Sequence, residues 1–70
     1  MPDKLAGEIA KIIRERRASL QLSQEELGER AGLHRTYIGA LERGERNISV
    51  RTLYRVAEAL GCDARDLLPS

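Results

Sequence analysis

Residues 22–47 read LSQEELGERAGLHRTYIGALERGERN, and the spacing within this stretch decides the fold. Ser23 before Gln24-Glu25-Glu26 is a capping box: the hydroxyl accepts from the third helical amide while Glu26 reaches back to the cap amide. Leu22 and Leu27 lie where a hydrophobic staple closes over such a start. The helix stops at Gly32, a residue suited to the left-handed conformation of a helix end. Another helix follows at once, with His34 as its cap, Tyr37, Ile38 and Leu41 at helical spacing, and Gly44 as its terminator. With Gln24 as position one, Gly28 is position five, Gly32 is nine and Ile38 is fifteen. A tight turn between two closely crossing helices asks for a small residue, a turn glycine and a buried β-branched anchor at those places. Leu27, Ala31, Leu33 and Leu41 supply the apolar positions around them. A glycine inside a helix costs about 1 kcal/mol relative to alanine, so Gly28 and Gly39 each require a packing reason.

Outward from this joint the period stays helical and no alternating strand pattern persists. A first helix is expected from the cap Asp3 to about Leu20, with Leu5, Ile9, Ile12, Ile13 and Leu20 on one stripe and one of the paired isoleucines at its edge. Downstream, the polar connection Glu45-Arg46-Asn47-Ile48 leads to the cap Ser49. The next helix buries Leu53, Val56, Ala57 and Leu60 and stops at Gly61. Asp63 then caps a short fifth helix carrying Leu67 and Leu68, ended by Pro69. The expectation is an all-α, compact five-helix domain over residues 1–70, with no linker, repeat or low-complexity segment.

Composition narrows the function. Twelve Lys and Arg against eleven Asp and Glu leave a net charge of +1. The distribution is less even: Arg30, Arg35, Arg43, Arg46, Arg51 and Arg55 stand against only Glu42 and Glu45 between residues 30 and 55. A polyanion within a Debye length of ~8–10 Å feels this basic middle rather than the total. A single cysteine rules out an internal disulfide framework and a multi-cysteine zinc site. No apolar run approaches the ~18–20 residues that span a bilayer, so a reduced, cytoplasmic setting without membrane contact is expected. An enzyme is disfavoured: His34 reads as a helix cap, Glu25, Glu26 and Glu29 as an exposed helical face, and neither metal, cofactor nor small-molecule ligand is expected. Cys62 after Gly61 reads as an apolar residue packed on the preceding turn, with a redox switch as the lesser alternative. A chain this short buries only roughly 60% of its unfolded surface, so self-association would add stability.

From Ile9 to Pro69 the chain resembles the lambda repressor and Cro-like helix-turn-helix family, chiefly in LSQEELGERAGLHRTYIGALERGERN and TLYRVAEALG. Within it, RTYI followed by ERG-x-RN is most similar to the controller proteins of restriction–modification systems, small dimeric regulators of transcription. The resemblance implies sequence-specific binding of double-stranded DNA by a homodimer on a pseudo-palindromic operator, with RNA polymerase a candidate further partner. The first turn of the recognition helix then enters the major groove. Arg35 is the first choice for reading a base, since a guanidinium donates twice to guanine O6 and N7. Thr36, Tyr37 and Ala40 are the other candidate base readers, all displayed with Gly39 and Arg43 away from buried Ile38 and Leu41. Gln24 at a helix N-terminus, with Arg43, Arg46 and Asn47, are candidate phosphate contacts. Arg17 matches the family position that pairs with a glutamate, here Glu42, as a structural ion pair first and a phosphate contact second. The implied dimer surface spans Ile48, Val50 and Arg51 and the segment from Cys62 to Leu68, including Ala64 and Arg65. The rival reading is a protein-interaction module, such as an antitoxin or a bridging factor.

Overall fold

The helices begin and end where local chemistry starts and stops them. A computed structural model describes residues 3–70; residues 1 and 2, part of the expected domain, lie outside the described residues. Helix α1 runs Lys4–Ser19 from its cap Asp3, whose carboxylate accepts from the Ala6 amide at 3.2 Å. Helix α2 (Gln24–Ala31) starts on the complete capping box, with Ser23 Oγ accepting from Glu26 N at 3.0 Å and Glu26 accepting from Ser23 N at 2.8 Å. Helix α3 (Arg35–Glu42) follows His34, and α4 (Val50–Leu60) follows Ser49, whose hydroxyl accepts from Thr52 N at 3.1 Å.

The ends of α2, α3 and α4 share one device. A glycine in the left-handed region turns the chain, and the next amide reaches back five residues: Leu33 to Gly28 at 2.8 Å, Glu45 to Ala40 at 3.0 Å and Cys62 to Ala57 at 3.0 Å. These bonds satisfy carbonyls that the helix end leaves orphaned.

Helix α2 packs on α3 and α4, α1 on α3, and the C-terminal segment on α4 and α1. Ile9, Ile13, Leu27, Ile38, Leu53, Val56, Ala57, Leu60 and Leu67 form the buried core, with Ile12 and Leu33 half-buried at its margin. Of the paired isoleucines, Ile13 is therefore the inner one.

Three expectations are corrected. Leu5 and Leu20 are exposed rather than on the core stripe. Leu5 sits at a rim beside Asn47 and Ile48. At the other end the chain reverses through Gln21, at φ 58°, which carries Leu22 into the core in place of Leu20. The fifth helix is a single 3-10 turn, Ala64–Leu67, so the fold has four α-helices among the described residues. Pro69 explains the truncation: it offers no amide, and it drives Leu68 to extended backbone at φ −98°, ψ 144°. Leu67 is consequently buried and Leu68 exposed, and the turn is tied by Asp66 accepting from Asp63 N at 2.9 Å.

Candidate nucleic-acid interface

The α2–α3 joint holds its geometry through backbone proximity. A Cβ on Gly28 would lie 2.4 Å from the Leu33 carbonyl oxygen, so only glycine permits this crossing. Ile38 is fully buried and Leu41 nearly so, which fixes the inner face of α3. Arg35 and Thr36 lie exposed on its first turn.

One charged residue is buried in this assembly. Glu42, 2% exposed, closes α3 and is gripped from three directions. Arg17 Nε donates to its Oε2 at 2.6 Å and Arg17 Nη2 to its Oε1 at 2.9 Å, a two-pronged pair. Gln24 Nε2 donates to Oε1 at 3.0 Å, and Arg14 Nη1 donates to the Glu42 carbonyl. Arg17 Nη1 is also committed, to the Leu22 carbonyl at 2.8 Å. Hydrogen bonding to Glu42 raises the Arg17 pKa above its ordinary value, so the guanidinium stays charged. With each of its three nitrogens donating once, Arg17 fastens α1 to the end of α3 and keeps two of its five N–H groups unbound among the described residues. Gln24, a candidate phosphate contact, gives one of its two amide N–H groups to Glu42.

The outer face of α3 is organised by pairs. Arg35 Nη1 donates to Glu25 Oε2 at 3.2 Å across the turn, both side chains being mostly exposed. His34 Nδ1 accepts from Thr36 N at 3.1 Å and also meets the Thr36 hydroxyl, which therefore faces the cap. Tyr37 is half-buried rather than exposed, and Arg46 stands over its ring at 5.6 Å from the centroid. Gly39 is buried rather than displayed: Arg43 and Gln24 close over it, 3.1 and 3.4 Å from where its Cβ would be. Ala40 is half-buried and Asn47 exposed. Arg43 donates through Nε and Nη2 to Glu45 at 2.9 and 3.2 Å, which raises the arginine pKa and lowers that of Glu45.

At the start of α4, Val50 is 72% exposed and Arg51 is exposed, as is Arg65 in the C-terminal turn. Ile48 and Ala64, on the implied dimer surface, are half-buried and pack against the core. Sequence reasoning passed over Tyr54, 65% exposed one helical turn after Val50; the i, i+4 spacing of two apolar residues was the available signal. Cys62 packs against the core, and burial pushes its thiol pKa upward, away from thiolate chemistry.

Known proteins are similar to this chain in sequence and in fold. The helix-turn-helix family profile matches residues 13–67. Control protein C.SmaI of Serratia marcescens is 48% identical over 60 residues, which cover 86% of this chain and 71% of that protein. The restriction-modification controller protein C.AhdI from Aeromonas hydrophila superposes with a TM-score of 0.88 at 38% identity, covering 90% of this chain and 96% of that one. The controller C.Esp1396I, solved as a tetramer in complex with its natural 35 base-pair operator, superposes with a TM-score of 0.83 at 28% identity, covering 87% and 80% of the two chains. With more than half its length matched and a buried Gly28–Ile38 joint of the required form, the chain belongs to the helix-turn-helix family and, within it, is similar to the control proteins of restriction–modification systems.

Proposed function

We propose that the protein is a DNA-binding transcriptional regulator of the restriction–modification controller type, acting as a homodimer on a pseudo-palindromic operator. The observation that carries this reading is the α3 joint: a buried inner face braced by Gly28, with Arg35 and Thr36 exposed on the first turn. Arg35 reads a base, Thr36 presents its methyl to a thymine, and Tyr37 and Ala40 line the approach to the groove. Arg46, Asn47 and Arg43 meet phosphates, with the α2 N-terminus beside Gln24 adding its free amides. Arg17 and Glu42 hold the reading helix in place without touching DNA.

A second copy is the natural cover for Val50 and Tyr54, flanked by Arg51 and Arg65; a two-fold arrangement makes that surface self-complementary. Two recognition helices then fall about one turn (~34 Å) apart. The work is binding rather than catalysis, carried out in the cytoplasm where the operator lies, with RNA polymerase as the machinery it influences.

Titration of duplex DNA across a salt series tests the reading. Counterion release requires log K to fall with log salt by about 0.9 per neutralised phosphate. A slope near zero, or no duplex binding at low salt, supports an antitoxin or bridging module instead. Sedimentation showing only monomer at high concentration rejects the dimer.

A further inference from the structure

The acidic side chains around α3 hold their partners in different ways. Glu26 folds back on Ser23, Glu42 is buried against Arg17, and Glu45 occupies both Nε and Nη2 of Arg43. Glu25 alone in this group holds its arginine by a single nitrogen, Nη1 of Arg35 at 3.2 Å. The Nε–Nη2 edge of Arg35 has no partner among the described residues, and that edge is a complete two-donor fork. The pair is also dispensable for folding: an exposed ion pair adds little, and the turn is already held by Gly28, Gly32 and the Ser23 box.

We propose that Glu25 is a positioning residue that sets base specificity, holding Arg35 by Nη1 so that its Nε–Nη2 edge addresses guanine while the guanidinium is kept off the phosphate backbone. The inference rests on the DNA-reading role of α3 proposed above. Phosphate oxygens are available along any duplex, so an untethered arginine reaches one wherever the protein lands. The tether confines the free edge to one place beside the first turn of α3, so a phosphate lying elsewhere is reached only by giving up the carboxylate, whereas a guanine at that place accepts through O6 and N7 with the tether intact. Glu25 therefore suppresses indifferent contacts more than the specific one. Fixing the guanidinium also lowers the ordering cost of the specific contact.

The test measures affinity for three probes: the duplex the parent protein selects from a random pool, that duplex with the guanine facing Arg35 replaced, and a scrambled duplex of equal length. Glu25→Gln should tighten binding to the scrambled duplex several-fold and steepen its salt slope by about one unit. Discrimination at the guanine, roughly 5- to 150-fold for a good fork, should fall several-fold. Glu25→Asp, which keeps the charge but shortens the reach, should lower discrimination too. Glu29→Gln, which removes a charge from the same groove, should shift all probes together and leave their ratios unchanged. In an Arg35→Ala background, Glu25→Gln should no longer alter the ratios, and melting of every variant should match its parent. Equal changes from Glu25→Gln and Glu29→Gln, or an undiminished effect without Arg35, overturn the role of Glu25 alone. A parent protein indifferent to sequence overturns this inference and the proposed function together.

Discussion

Replacing Glu42 by glutamine keeps the side-chain shape and removes the charge at the point where α1, α2 and α3 converge. The carboxylate accepts two bonds from Arg17 and one from Gln24. Hydrogen bonds to charged groups contribute about 1.5–3 kcal/mol each. The amide keeps one acceptor oxygen but turns an NH2 group towards a guanidinium that also donates. Breaking one side of a fully buried pair costs ~3–5 kcal/mol. Here the Glu42 side chain is 1% exposed but that of Arg17 is 20% exposed, so water partly re-solvates the orphaned arginine. A loss of ~2–4 kcal/mol follows, against the roughly 3.5–10 kcal/mol that a chain this size holds. At ~4–8 °C per kcal/mol, the melting midpoint should fall by roughly 10–30 °C, read by circular dichroism at neutral pH. The double change Arg17→Met with Glu42→Leu should be less damaging than Glu42→Gln, because apolar residues leave no buried charge unpaired. A midpoint shift under about 3 °C for Glu42→Gln, or a double variant less stable than the single one, refutes the reasoning.

The two helical glycines should respond oppositely to alanine. Gly28→Ala meets a backbone oxygen that cannot move aside, and should destabilise by about 1–3 kcal/mol in urea unfolding despite the helix-propensity gain. Gly39→Ala meets the movable end of Arg43 and should be neutral or stabilising by up to about 1 kcal/mol. Hydrogen bonds from the Ser23 amide and hydroxyl hold the Glu26 carboxylate below its ordinary value of 4.5. Its folded-state pKa is depressed, so its contribution is complete above the unfolded value and vanishes as pH falls through the folded one. Melting midpoints of parent and Glu26→Gln should therefore converge in acid and separate above pH 4.5. Arg35→Ala should cost ~1–3 kcal/mol of operator affinity and relax the choice of one base pair, whereas Arg46→Ala should weaken all duplexes alike and flatten the salt slope by about one unit.

What the sequence disclosed was governed by short-range rules. Asp3, Ser23, His34 and Ser49 start helices because each oxygen or ring nitrogen reaches an amide two or three residues away, and that distance is written in the spacing. The buried set of α4 followed from its period. Errors arose where a pattern was carried past the packed surface, as at Leu5 and Leu20, or where Pro69 shortened an expected helix to one 3-10 turn. The charged pairs divide in the same way. Family likeness supplied the pairing of Arg17 with Glu42, but the engagement of Gln24 and Arg14 by the same glutamate joins residues 18 and 28 positions apart and depends on the assembled fold. Arg35 with Glu25 and Arg46 over Tyr37 are likewise settled by rotamers on neighbouring segments, and Arg43 with Glu45 by rotamers two residues apart in the loop after α3, which no periodicity records.

Selection of bound duplexes from a random pool, read by sequencing, tests most directly that α3 reads DNA for a symmetric pair of subunits. Two inverted half-sites with centres about one helical turn apart should be enriched, each containing a guanine whose enrichment is lost with Arg35→Ala. A pool that emerges without a shared motif, or a motif unchanged by Arg35→Ala, contradicts that role of α3.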